Sequence, residues 1–307
     1  PFHNTDAVFA PGEQIGTTDV ILVTEDRFPV RVYLGADDTG NDATKNARAF
    51  AGFNWGNVFG LDQTLSYQFT TSEDFKEFLS HTAQYIAPLP WHHRLYLYGG
   101  YATFRPDISG FKSSGQSAQM SMRYKIPFLV DEDSNLELSW GADYKFTNNN
   151  IAYEGGTTLP IIGQFVNLFQ AILSVSQGKK YRFFQWGYEC EFIFSPAEFL
   201  PHQSNSDYQA LRYKAVNRYC YGKANFQGSW EWFSRGFLNF QCRGQLSSAN
   251  LLPSEQFGLG GYDTVRGYNE REVNADNAVC LNLEMRLPFW SFAKYADDYS
   301  KGDKFTV

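Results

Sequence analysis

The sequence predicts an all-β chain, a transmembrane antiparallel β-barrel, and three observations carry that reading. Phe, Tyr and Trp make up 18% of the 307 residues, yet the mean hydropathy is −0.40. A membrane barrel reconciles the two, because one face of each strand meets lipid and the other meets water. Several stretches alternate apolar and polar residues for ten positions or more, whereas strands of soluble domains average about five or six. No stretch approaches the roughly 18 uninterrupted apolar residues of a membrane helix. A closed barrel is then the way such a chain crosses a bilayer.

Residues 1–28 differ from the rest. A short polar lead and Pro11-Gly12 precede Asp19-Val20-Ile21-Leu22-Val23-Thr24-Glu25, one apolar strand after a turn signal. No signal peptide is read, and the chain opens mid-motif at Pro1-Phe2-His3-Asn4, so an N-terminal part is expected to have been removed.

Residues 29–307 read as the barrel. The first strand, 31–36, runs into the turn cluster Asp37-Asp38-Thr39-Gly40, and strands 46–55, 63–71, 79–87 and 94–104 follow. In 116–126, Ala118, Met120, Met122, Tyr124 and Ile126 share one face, while Ser117, Gln119, Ser121, Arg123 and Lys125 share the other. In 136–147, Leu136, Leu138, Trp140, Ala142, Tyr144 and Phe146 alternate with Glu137, Ser139, Gly141, Asp143, Lys145 and Thr147. This is the period of a strand with one dry and one wet face. Charges of both signs in mid-strand favour a solvated lumen over the dry core of a sandwich.

Further strands are predicted at 164–176, 182–194, 210–231, 236–247 and 277–287, twelve in all. In 182–194, Phe184, Trp186, Tyr188, Cys190, Phe192 and Phe194 oppose Gln185, Glu189 and Glu191. In 277–287, Cys280, Asn282, Glu284 and Arg286 oppose Val279, Leu281, Leu283, Met285 and Leu287. The 127–135 connection is short, whereas 148–163 and 196–209 are long and polar. Short periplasmic turns and long outer loops produce that asymmetry.

Between the eleventh and twelfth strands lies Phe257-Gly258-Leu259-Gly260-Gly261-Tyr262-Asp263-Thr264-Val265-Arg266-Gly267-Tyr268, within a loop spanning about 248–276. Glycine alone takes positive φ without strain, so two glycine-bracketed turns imply a backbone folded tightly back on itself. An arginine at the end of such a hairpin can bond a carboxylate bidentately, which lysine cannot do. Composition alone also accepts an ordinary surface loop.

The segment Gly-Gly-Tyr-Asp-Thr-Val-Arg-Gly-Tyr resembles the sixth extracellular loop of the outer-membrane protein 85 and bacterial surface antigen superfamily. With Gln256-Phe257-Gly258-Leu259-Gly260-Gly261 before it and Asn282-Leu283-Glu284-Met285-Arg286-Leu287-Pro288 after it, the chain resembles that superfamily's two-partner secretion transporters, the haemolysin and filamentous-haemagglutinin activator family. The resemblance implies that the loop folds into the barrel lumen with Arg266 as its anchor. Gly260, Gly261 and Gly267 form the hairpin, and Val265 and Tyr268 pack around the tip. It implies that residues 1–28 are the tail of the last POTRA module. It further implies sixteen strands, of which about twelve are present, so the C-terminal strands are expected to be missing. The acidic partner of Arg266 belongs to the missing thirteenth strand, and Glu284 is a second contact by position only.

The implied function is export of an unfolded exoprotein across the bacterial outer membrane by a monomeric barrel seated in lipid and lipopolysaccharide. A superfamily insertase, or a passive porin or receptor whose loop constricts the pore, are the alternatives. No enzyme, cofactor or metal is expected. The histidines His3, His81, His92, His93 and His202 stand in no catalytic or metal-spaced group. His92-His93, after Trp91, reads as a turn at the membrane interface. Asp37-Asp38 with Asp62 fits no EF-hand spacing, and turn chemistry explains the first pair. Gly258, Gly260 and Gly261 lack the Lys-Ser/Thr of a phosphate loop. Cys190, Cys220, Cys242 and Cys280 form no C-x-x-C pair and read as small hydrophobes, with a cross-strand disulfide the open alternative. A net charge of −7 argues against a nucleic-acid partner.

Overall fold

The computed structural model describes residues 3–286 apart from 13, 15, 27, 41–44, 106, 109–110, 132, 156, 233–235 and 270, together with 290–291 and 304–305. β1 (His3–Pro11) and β2 (Thr18–Asp26) form an antiparallel hairpin of their own. The predicted polar lead is therefore a strand. Its first residues pair in register with Val23–Asp26, so ladder bonds override a composition that shows no alternation.

One antiparallel sheet follows in chain order. Its strands are β3 (Val30–Asp37), β4 (Arg48–Val58), β5 (Gln63–Ser72), β6 (Phe78–Pro88), β7 (Arg94–Phe104), β9 (Phe111–Val130), β10 (Ser134–Gly155) and β11 (Thr157–Lys180), then β12 (Phe184–Pro196), β13 (Arg218–Trp232), β14 (Gly236–Ser247) and β17 (Ala278–Arg286). These are the twelve strands the alternation predicts. A two-residue strand, β8 (Asp107–Ile108), folds onto β9. β15 (Phe257–Leu259) pairs with β16 (Val273–Ala275) inside the loop before β17, and β18 (Trp290–Ser291) pairs with β19 (Lys304–Phe305). Among the described residues the sheet is open, with β3 and β17 as its edges.

Two expectations need correction. The connection expected at 148–163 is strand: β10 and β11 pair as far as Gly155↔Thr157, with one register shift between Ile151 and Ala152. Asn148-Asn149-Asn150 are poor strand formers by composition, but partners on both sides of β10 hold them there, and Gly155 ends the strand opposite Thr157 of β11. The tenth strand also begins at Arg218 rather than 210, because α1 (Asn205–Leu211) occupies the connection before it. Ser204 caps this helix. Its hydroxyl accepts from the Asp207 N–H at 3.2 Å, while the Asp207 carboxylate accepts from the Ser204 N–H at 3.0 Å. That is a reciprocal capping box.

Burial runs opposite to that of a soluble domain. Buried polar residues include Ser121, Ser139, Asp143, Gln170 and Gln245, while Met120 is 65% exposed and Val279 and Leu281 each 71%. Along β17 the apolar residues 279, 281, 283 and 285 all face out, as a lipid-facing surface requires. The inner face carries a ladder of alternating charge: Arg94 and Lys125 on Glu137, Arg123 on Asp143 at 2.6 Å, and Lys145 beyond.

At the 89–93 turn, Trp91 Nε1 donates to the Tyr124 hydroxyl at 2.7 Å, and His93 Nδ1 lies 2.7 Å from the same oxygen. The Tyr124 ring also packs 5.5 Å from Trp140. This aromatic group sits at the short-turn end, where an interfacial girdle belongs. Asp37 Oδ1 accepts from the Thr39 N–H and hydroxyl, the turn chemistry expected of it. All four cysteines are free thiols: Cys190 is exposed on the outer face, and Cys280 is buried.

Candidate functional site

The loop between β14 and β17 divides into a stem and a tip. The stem is anchored first by Leu251 and Leu252, which are almost fully buried in a core with Val166, Leu168, Tyr208, Tyr219 and Tyr221. This core joins the loop to β11, β13 and α1. The second anchor is Glu255, only 2% exposed. Its carboxylate accepts from Lys145 Nζ at 2.9 and 3.0 Å, from Gln170 Nε2 at 2.8 Å and from the Tyr221 hydroxyl at 2.7 Å. A buried charge is tolerable only with a counter-ion and filled lone pairs, and three strands supply both. The third anchor is Asp276, held bidentately by Arg212 at 2.6 and 2.8 Å and accepting from the Leu251 N–H at 3.0 Å.

The tip begins at Gly260 and Gly261, with φ of 107° and 100°, and turns again at Gly267, with φ of 89°. Thr264 closes the first turn, its hydroxyl accepting from the Gly260 N–H at 2.9 Å and donating to the Gly260 carbonyl at 2.8 Å. Arg266 pairs with Glu284 of β17 and lies 5.7 Å from the Tyr262 ring centre. Val265 lines a cavity beside Arg266 and is 39% exposed, and Tyr268 is 61% exposed.

That cavity measures about 1110 Å³ and is lined by Tyr262, Asp263 and Arg266 of the tip and by Gln227, Asn239, Gln241 and Glu284 of the inner wall. Asp131 and Asp133, in the short turn between β9 and β10, line it too. Glu284 lies six residues beyond the start of β17, roughly 20 Å along the strand at about 3.4 Å per residue. The loop therefore leaves the long-loop end of the sheet and carries its tip down the inner face toward the short-turn end.

The two ends of the loop are held very differently. The Arg266 and Glu284 side chains are 65% and 37% exposed, and such pairs contribute about 0.2–1 kcal/mol. Glu255 is sealed from water. At Asp276, burial pushes the carboxyl up, but the bonds and charge of Arg212 and the Leu251 N–H outweigh it and hold the group below the ordinary aspartate value. A depressed folded value means that this clasp stabilises fully above about pH 4 and fails as pH falls further. Asp276→Asn should thus lose less thermal stability than wild type when acidified. Parallel melting curves would dismiss the clasp.

The glycines give a second expected result. A Cβ on Gly260 would lie 2.3 Å from the Asn269 carbonyl oxygen, whereas a Cβ on Gly267 meets nothing within 4 Å. Gly260→Ala should cost about 1–3 kcal/mol, and Gly267→Ala less, about 1–2 kcal/mol of backbone strain alone. Unfolding midpoints compare the two directly, and equal losses would contradict the close approach at Gly260.

Sequence reasoning placed Gly260, Gly261, Arg266 and Gly267 together at the tip, with Glu284 beside them. It missed Glu255, Asp276, Arg212 and the role of Lys145. Lys145 and Asp143 were legible as wet-face residues, but nothing local marks Glu255 as buried, since its partners lie 110, 85 and 34 residues away.

A family model described as haemolysin secretion/activation protein ShlB/FhaC/HecB matches residues 16–299. Among solved structures, CdiB from Escherichia coli has a TM-score of 0.78 at 17% identity, covering 94% of this chain and 53% of that one. CdiB from Acinetobacter baumannii gives 0.70 at 18% identity, covering 93% and 52%. BamA from Haemophilus ducreyi lacking POTRA domains 1-3 gives 0.56 at 13% identity, covering 97% and 60%. At these identities the likeness is one of fold, and the chain spans between half and three-fifths of each neighbour's length. No curated protein matches the sequence.

Proposed function

Because the chain belongs to the haemolysin secretion/activation protein family ShlB/FhaC/HecB, whose members are outer-membrane β-barrel proteins, we propose that it forms the pore of a two-partner secretion transporter gated by its lumenal loop. Residues 1–28 then close the last POTRA module, and 29–307 supply the barrel wall and the gate. POTRA modules capture an extended client by strand augmentation. The client, an unfolded exoprotein, passes along the polar inner face while Arg266 at the tip holds or releases its grip on the wall. Folding of the client outside the cell drives export, without a nucleotide. The barrel works as a monomer in lipid and lipopolysaccharide.

One observation supports this reading: tip residues of a loop that starts at the long-loop end line the same cavity as Asp131 and Asp133 in a short turn at the other end, which is the position of a loop that would fill the lumen of the closed barrel. Export requires that occupant to shift. The test is secretion of the cognate exoprotein by the full-length protein with Arg266→Ala, at equal barrel levels in the outer membrane. Export is expected to fall while insertion is unchanged. Unaltered export would make the loop a fixed plug, and the porin or insertase reading would take its place.

A further inference from the structure

We propose that Glu255 and Asp276 make the stem of the loop a fixed fulcrum, so that only residues 260–269 move when the lumen opens, Arg271 being held to the stem by its bonds to the Pro253 and Gln256 carbonyls at 3.1 and 3.0 Å. This rests on the gate reading above and names the part of the loop that does the gating.

The stem is tied to elements far apart in the chain. Glu255 binds Lys145 of β10, Gln170 of β11 and Tyr221 of β13. Asp276 binds Arg212, the residue following α1. Withdrawing the whole loop would strand Lys145 opposite an empty site and strip Leu251 and Leu252 from their core, and a buried charge that loses its partner is strongly disfavoured. The tip has no comparable hold. Its link to the wall is the exposed Arg266–Glu284 pair, which thermal motion and salt weaken readily.

The joint between the two parts is Gly260-Gly261, both at positive φ, where glycine turns most freely. The Thr264 bonds to Gly260 keep the turn beyond it folded as a unit. Glu255 is thus a positioning residue: it acts by fixing where the Gly260 joint sits, and through it where Arg266 can reach.

The test uses thiol crosslinks in the full-length protein with Cys190, Cys220, Cys242 and Cys280 replaced by alanine, reading potassium chloride currents in a planar bilayer. Each variant's current before crosslinking is its own reference. A reducible bis-thiol reagent joining Arg212→Cys to Asp276→Cys should leave open events unchanged. The same reagent joining Arg266→Cys to Glu284→Cys should abolish them until a reductant is added. Loss of open events on locking the stem would mean that the whole loop must leave, overturning the fulcrum while the gate stands. A tip lock without effect would overturn the gate itself. A second readout needs no crosslink. With Arg266→Ala in place, a spin label on Asp263→Cys in the tip should gain mobility and one on Asn274→Cys in the stem should not; mobility gained at Asn274 would overturn the fulcrum.

Discussion

Glu255→Ala is expected to destabilise the folded barrel by about 3–5 kcal/mol, the usual cost of breaking a buried ion pair from one side. The reason lies in what remains. The Lys145 ammonium, 19% exposed, would keep only Asp143 at 4.0 Å, and Asp143 is already engaged by Arg123 at 2.6 Å. Gln170 and Tyr221 would each lose an acceptor in a space closed to water. That residual Asp143 contact places the loss toward the lower end of the range. Urea unfolding from vesicles, together with protease cleavage of the loop in the folded barrel, measures it. A loss under about 1 kcal/mol would equate Glu255 with an exposed pair and remove the basis for a fixed stem. Glu255→Gln keeps the shape without the charge and separates packing from electrostatics.

Met120→Arg is the second large effect. Met120 lies mid-strand in β9, paired with Gly99 on one side and Tyr144 on the other, and 65% of it faces outward. An arginine on the lipid face near the bilayer midplane costs about 2–4 kcal/mol. Its neighbour Gln119 points to the wet side and donates to Ser121 at 2.8 Å, so Gln119→Arg should cost well under half as much. The comparison is made by guanidinium unfolding out of phospholipid vesicles. Equal losses at the two positions would mean that the faces are misassigned, since a one-residue step along a strand reverses the side chain's direction.

Much of this architecture was legible because the barrel states itself locally. Period-two alternation in 116–126 and 136–147 fixed both the strands and their faces, and Met120 and Ser121 lie on the sides it assigned. Glycine and arginine chemistry marked the tip. What escaped depends on partners rather than on local pattern. The Ser204–Asp207 capping box was present in the sequence, but the aromatic and apolar residues after it masked the short helix. Asn148-Asn149-Asn150 reads as loop and is strand because β9 and β11 flank it. Glu255 differs from any surface glutamate only through contacts made at long range.

The overlong strands have one more consequence. A membrane strand needs about 9–11 residues, yet β9, β10 and β11 run for 20, 22 and 24. Pairing with β7 ends at Gly115 and pairing with β12 at Ala171. Beyond those points the three strands continue as a narrower blade, with α1 and the loop stem packed against Val166 and Leu168 at its base, and β10 alone is roughly 75 Å long at about 3.4 Å per residue. Against an apolar band about 25 Å tall, the blade places Gly155 and Thr157, the last pair of the β10–β11 ladder, far out from the bilayer on the long-loop side. With the long loops outward, as the proposed transporter requires, an antibody or phage meets the end of that ladder well before it meets the pore.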